Sequence, residues 1–220
     1  MNTHYYFSWF NHCLPDRLAG WLHEDIQDRQ SLVMISAELS NCEGEQIDFA
    51  DIPEWTWLNQ AKLIFDESYF IDYRMQKEEA RRVLQHASVV FLCGGDPVQQ
   101  NELVAEYELA DVIKNSAAVI LGASAGALNM AAKWVTSKQA GQQVDIDSVY
   151  DGLGLEPFAY ESHSKRGYAS FVQGYLFPLA EQMDVYAAEQ ESAIRVQGGK
   201  ISILGPVYLI SRSSIQKCGC

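Results

Sequence analysis

The sequence predicts an α/β protein, a three-layer sandwich in which a mostly parallel sheet is flanked by helices. Two observations carry this. Short continuous apolar runs at 31–36 (SLVMIS), 88–92 (SVVFL) and 117–121 (AAVIL) have the composition of strands covered on both faces. Amphipathic stretches separate them, the alternation that βα units produce.

The elements follow in order. Residues 5–10 are aromatic-rich and form a first strand. A helix follows over 15–26, with Pro15 in its first turn and Leu18, Trp21, Leu22 and Ile26 on one face. After the strand at 31–36, a helix is expected over 53–63 and a short strand over 70–72. Ala80, Val83, Leu84 and Ala87 recur at helical spacing over 77–86. The strand at 88–92 ends at Gly94-Gly95-Asp96-Pro97, and a helix is expected over 99–114. The strand at 117–121 runs into a tight turn at 122–126 and a further helix over 127–135. Beyond Gly141 the pattern weakens. A helix is expected over 169–182, and short strands at 193–196, 201–204 and 207–210, with Gly198-Gly199 as a hairpin turn. Residues 211–220 read as a loose tail, which leaves 1–210 as one domain. No linker, repeat or low-complexity tract divides it.

Composition narrows the function. The chain has 220 residues, 48% hydrophobic and 20% charged, which suits one globular domain and excludes disordered, collagen-like and coiled-coil classes. Sixteen basic residues face 29 acidic ones for a net charge of −13. Such a surface repels phosphate backbones and anionic lipid, so neither nucleic acid nor membrane is expected as a partner. Five cysteines, Cys13, Cys42, Cys93, Cys218 and Cys220, are odd in number and irregularly spaced, as reduced thiols of a cytoplasmic protein are. Cys218-Gly219-Cys220 reads as an incidental tail. The N-terminus lacks a signal-peptide pattern. The most apolar segment, 117–132, is shorter than the ~20 residues of a span and is broken by Gly122, Ser124, Gly126 and Asn129. No His/Cys/Asp cluster has zinc spacing, and no dinucleotide or P-loop fingerprint is present. No cofactor is therefore expected. A monomer or homodimer is.

The chemistry centres on Gly122-Ala123-Ser124-Ala125-Gly126, a G-x-S-x-G pattern between an apolar strand and a helix. A serine on so sharp a bend projects Oγ beyond the sheet edge. The residues two before and two after it lie too close to neighbouring backbone to carry a Cβ, and both are glycine. The helix start at Ala125 aims N–H groups at any oxyanion formed there. A serine nucleophile needs a base. Of the five histidines, His4 and His12 flank the first strand and His23 and His86 fall within helices. Only His163 lies in a downstream loop, Tyr160-Glu161-Ser162-His163-Ser164-Lys165-Arg166. The loop Gly94-Gly95-Asp96, one βα unit before the elbow, is placed to approach a ligand or supply a second oxyanion donor.

The stretch 91–130, FLCGGDPVQQNELVAEYELADVIKNSAAVILGASAGALNM, resembles the dipeptidase E and cyanophycinase family of serine peptidases, and Gly152-Leu153-Gly154-Leu155 precedes His163 as in that family. The resemblance spans roughly 88–210 and implies a glutamine-amidotransferase-like, flavodoxin-like fold and hydrolysis of short peptides, in some members beside an acidic residue. It implies Ser124 as nucleophile, His163 as base, and an oxyanion hole from Gly95, Asp96 and the Ala125 backbone. The order is Ser, His, Glu. An α/β-hydrolase order would instead take its acid from Asp145, Asp147, Asp151, Glu156 or Glu161.

Three departures stand out. Pro97 replaces the family's usual Thr. Glu161-Ser162-His163 replaces Asp-x-His. In Ala188-Glu189-Gln190-Glu191-Ser192-Ala193 the glutamate position falls, without a gap, on Gln190. Glu189 is taken as the third catalytic member, with Glu191, Gln190 and Glu161 as alternatives. Arg166, with Lys165, is placed to pair with an acidic substrate group. Two rival readings remain: an esterase or acyltransferase using the same serine, and a non-catalytic binding domain of the same fold.

Overall fold

The computed structural model describes residues 3–37, 48–136, 148–163, 172–212 and 214–219. Its strands are β1 (Thr3–Phe7), β2 (Ser31–Ala37), β3 (Glu67–Ile71), β4 (Val89–Gly95), β5 (Val119–Ala123), β6 (Lys133–Thr136), β7 (Ser148–Asp151), β8 (Ala159–Glu161), β9 (Val185–Ala188), β10 (Ala193–Gln197), β11 (Lys200–Leu204), β12 (Val207–Ser211) and β13 (Ser214–Lys217). The helices are α1 (Asp16–Asp25), α2 (Pro53–Gln60), α3 (Lys77–Gln85), α4 (Pro97–Glu106), α5 (Ala110–Lys114), α6 (Ala125–Met130) and α7 (Phe177–Ala180).

The first sheet has the order β11-β10-β1-β5-β4-β2-β3. Its five strands from β1 to β3 are mutually parallel, and the β10–β11 hairpin adds on antiparallel beside β1. The apolar runs are two-sided, as their composition requires. Tyr5, Phe7, Leu32, Met34, Val89 and Phe91 pack against α1 and α2. Their alternates Tyr6, Val33, Ile35, Val90 and Leu92 face α3, α4 and α6. This is the period of two that strand geometry imposes. Positive φ at Gly198 and Gly199 turns the hairpin where the dipeptide marks it.

A second sheet, β13-β12-β9-β8-β6-β7, was not legible as such in the sequence. It is parallel at β6–β8–β9 and antiparallel elsewhere. Trp134, Tyr160, Tyr186 and Val207 on its inner face join the same core as Tyr6 and Ile194. Its outer face packs Val135, Val185 and Ile210 on Leu176 and Leu179.

Four expectations need correction. The helix over 127–135 stops at Met130, and 133–136 is strand β6. The helix over 99–114 is two helices, broken where Glu108 takes φ 52. The tail is not loose throughout, since β13 pairs with β12 from Tyr208↔Lys217 to Ser211↔Ser214. Of the helix over 169–182, only α7 and a preceding π turn at Val172–Leu176 fall among the described residues. The Gly152-Leu153-Gly154-Leu155 segment explains the early stop of α6. Its amides donate to the carbonyls of Ala132, Asn129, Ala131 and Met130 at 3.1, 2.6, 2.9 and 3.0 Å. They satisfy the carbonyls a helix end leaves without partners. No described helix is long and apolar enough to cross a membrane.

Candidate active site

Parallel strands end on the same side of a sheet, so β1, β5, β4 and β2 present their carboxyl ends together, where ligands bind in open α/β sheets. A cleft of about 580 Å³ opens there. Trp9 borders it after β1, Ser124 after β5, Cys93, Gly94 and Gly95 from β4, and Ser36 and Ala37 from β2. The second sheet contributes from the ends of its own parallel pair, His163 beyond β8 and Gln190 beyond β9.

Ser124 sits at φ 49, ψ −108, strained backbone for a residue with a Cβ. The bend is held by its amide, which donates to Phe7 O at 3.0 Å and Ser8 O at 3.1 Å. Neither flanking glycine has room for a side chain. A Cβ on Gly126 would collide with the Leu92 carbonyl, and one on Gly122 would stand 2.7 Å from the Gly126 carbonyl carbon. Oγ of Ser124 lies 2.7 Å from Nε2 of His163, hydrogen-bond distance across 39 residues of sequence. Both residues are half-buried and open to the cleft. The other histidines are elsewhere: His4 bonds Glu156 at 2.7 Å, His23 meets Ala61 O at 2.7 Å, and His12 and His86 are exposed.

The loop after β4 differs in part from expectation. The Asp96 amide is committed to Ala37 O at 3.1 Å, and the Asp96 side chain caps α4 by accepting from Val98 N at 2.8 Å and Gln99 N at 3.2 Å. Asp96 is therefore a helix cap rather than an oxyanion donor. The Gly94 amide donates to Glu54 Oε1 at 2.6 Å. Gly95 lines the cleft at φ 132, a backbone that favours glycine. Ala125 opens α6, where an amide has no intrahelical acceptor.

The four candidates for the third member separate. Glu189, the first choice, accepts from Tyr208 Oη at 3.0 Å. Glu191 accepts from Asn11 N and Asn11 Nδ2, both at 2.9 Å, and so ties its loop to the segment after β1. Glu161 is buried, and burial pushes its carboxyl up to about 8. Gln190 alone of the four lines the cleft with Ser124 and His163. Arg166 and Lys165 lie outside the described residues.

Several residues at the site carried no sequence signal. Glu54 is buried in the first turn of α2 and lines the cleft beside Gly94. Trp9 packs edge-on to Trp57, with ring centroids 4.8 Å apart. Behind the elbow, Gln100 Nε2 donates to Ile35 O and Cys93 O at 3.1 and 3.0 Å, and Asn129 Nδ2 donates to Gln100 Oε1 at 3.1 Å. This buried amide network fixes α4 against α6. Its residues stand at helical spacing among apolar neighbours, a pattern that marks a helix face but not what the side chain bonds.

A serine on a strand-to-helix bend, bonded to an imidazole at the carboxyl edge of an α/β sheet, is the arrangement of a nucleophilic hydrolase. The model of Peptidase family S51 matches residues 70–204, more than half of the chain. The chain belongs to that family and is a serine peptidase. Solved structures agree on the fold. A peptidase from an acI-B1 Actinobacterium superposes with a TM-score of 0.68 at 16% identity, covering 100% of this chain and 94% of its own. A putative peptidase E protein from Listeria monocytogenes EGD-e superposes at 0.63 with 15% identity, covering 92% and 98%. No curated protein sequence matches.

Proposed function

We propose that the chain hydrolyses short peptides through an acyl-enzyme on Ser124. The observation that carries this is the 2.7 Å contact between Ser124 Oγ and His163 Nε2. As Oγ attacks the peptide carbonyl carbon, its proton passes to Nε2. The carbonyl oxygen becomes an oxyanion received by the amides of Gly95 and Ala125, the two expected donors that no described contact commits elsewhere. The C–N bond then breaks as His163 returns the proton to the leaving amine. Water repeats the sequence on the ester, which frees the acid and Ser124. Side chains, amides and water are sufficient for the scheme.

Gln190 is assigned the position beside the histidine, on two grounds. It is the residue that the ungapped register of 188–193 aligns with the family glutamate, and it lines the cleft. A glutamine orients an imidazole but leaves the imidazolium without a neutralising charge.

The described wall of the cleft bears two carboxylates, Asp51 and Glu54, beside apolar Ile52, Pro53 and Phe70. That side suits neutral or amine-bearing groups. An acidic substrate residue requires a cation, and Arg166 is its expected source. The test is a dipeptide panel with acidic, neutral and basic first residues, read as released amino acid by chromatography for the wild type, Ser124→Ala and Arg166→Ala. Cleavage by the wild type and not by Ser124→Ala supports the peptidase mechanism. An acid-to-neutral ratio unchanged in Arg166→Ala removes the acidic preference. Cleavage of activated esters with no cleavage of any peptide points to an esterase.

A further inference from the structure

Two residues of the site, Ser124 and His163, hold left-handed backbone at φ 49 and φ 58. Both commit their amide hydrogens to the same neighbour. Ser124 N–H donates to Ser8 O at 3.1 Å, and His163 N–H donates to Ser8 Oγ at 3.1 Å. Ser8 is 0% exposed and directly follows β1, the strand beside β5. Its own amide donates to Ser192 O at 3.0 Å, and its hydroxyl proton has Ala188 O at 3.5 Å as acceptor. One small residue therefore touches the nucleophile's bend, the base's backbone and both ends of the segment that carries Gln190.

We propose that Ser8 is a positioning residue for the proton transfer, its hydroxyl locking the strained His163 backbone so that Nε2 meets Oγ of Ser124. The proposal rests on the acyl-enzyme reading above. The physical need is specific. β8 has three residues and belongs to the second sheet, while the elbow belongs to the first. A left-handed backbone persists only where its surroundings over-determine it. Acceptance of the His163 amide by a side chain anchored to β1 references the base to the same strand end that holds the nucleophile. A displacement near 1 Å at such a pair costs up to about 100-fold in rate. The hydroxyl is suited to the task because it accepts a hydrogen bond in a fully enclosed volume. Alanine leaves the amide facing a void, and cysteine fills the space but accepts poorly.

The experiment uses a fluorophosphonate, which reports nucleophilicity without knowledge of the substrate. Inactivation rates are measured against probe concentration to separate kinact from KI, from pH 5.5 to 9, for the wild type, Ser124→Ala, Ser8→Ala and Ser8→Cys. Ser31→Ala serves as a control, since it removes a buried hydroxyl bonded to His86 O at 2.9 Å in a distant part of the sheet. The expected result is a fall in kinact of about 10- to 100-fold for both Ser8 variants, KI within about twofold, and a changed pH profile of kinact. Ser31→Ala should keep wild-type kinact. Two results overturn the proposal: wild-type kinact in Ser8→Ala, or loss in Ser8→Ala with full retention in Ser8→Cys, which would make the role one of volume. Should Ser8→Ala fail to fold, Ser8→Cys decides alone. A wild type that never reacts defeats the acyl-enzyme reading itself and is distinguishable from either result.

Discussion

The two halves of the proposed catalytic pair, Ser124 and His163, are held in place by different physics. Ser124 is set by local sterics: a five-residue bend, two glycines that admit no side chain, and a strand and helix that leave one direction for the hydroxyl. His163 is set by distant contacts. It follows a three-residue strand of a second sheet, and its backbone is anchored 155 residues away on Ser8. A locally built group is robust and visible in sequence. A group built from long-range contacts depends on every element that delivers it.

Substitutions at either half break the pair directly. Ser124→Ala should lower peptide turnover on the order of 10⁴-fold or more, and His163→Ala by a similar factor, with the double variant little worse than either single one. Steady-state assays check this, and additive losses would show that the two residues do not act as a unit. The steric half has its own test in Gly126→Ala. A Cβ there meets the Leu92 carbonyl, so the cost should reach the upper end of roughly 1–3 kcal/mol, read by urea denaturation. A neutral result would mean that the bend relaxes more easily than its contacts indicate.

The long-range half is sharpened by Gln190→Glu. A carboxylate beside the imidazole stabilises its protonated form, so kcat should rise on the order of tenfold and the pH profile of kcat/KM should shift to higher pH. Falling activity would place Gln190 in substrate binding instead. A last test reads stability against pH at Glu161, two residues before His163. Burial raises its carboxyl to about 8 from 4.5. Between those values the folded protein holds a proton that the unfolded chain has released. Native stability therefore falls as pH rises from about 4.5 to about 8 and levels off above. Glu161→Gln should remove that slope, so its Tm advantage over the wild type should grow from pH 5.5 to 8.5 in thermal melts. Parallel Tm curves would contradict it.

The same contrast explains what could be read from the chain alone. Strands β2, β4, β5 and the elbow are legible because two-sided burial demands continuous apolar runs and the bend demands glycine. By contrast, β1 lies at Thr3–Phe7 rather than 5–10, and β3, a half-exposed edge strand without such a run, lies at Glu67–Ile71 rather than 70–72. The second sheet was not legible. β6 and β8 are three or four residues long, too short for a period to register, and the apolar Ala127–Met130 ran on into Trp134-Val135 as if one helix. The break at Glu108 has neither glycine nor proline to mark it. His163 stands out in the sequence by its loop and by its match to the family motif. Residues 189–191 differ in how their loop is tied down, by Tyr208 at one glutamate and Asn11 at the other, contacts that no local pattern announces. The family resemblance implies Asp96 as an oxyanion donor, whereas an aspartate directly before Pro97 at a helix start is better suited to capping.

The proposed mechanism makes the Ser124 hydroxyl the nucleophile and His163 its base. Intact-mass analysis after exposure to a fluorophosphonate tests it most directly. The account predicts one adduct, mapped by peptide sequencing to Ser124, absent in Ser124→Ala and formed far more slowly in His163→Ala. An adduct on another residue, or undiminished labelling of Ser124→Ala, would contradict it.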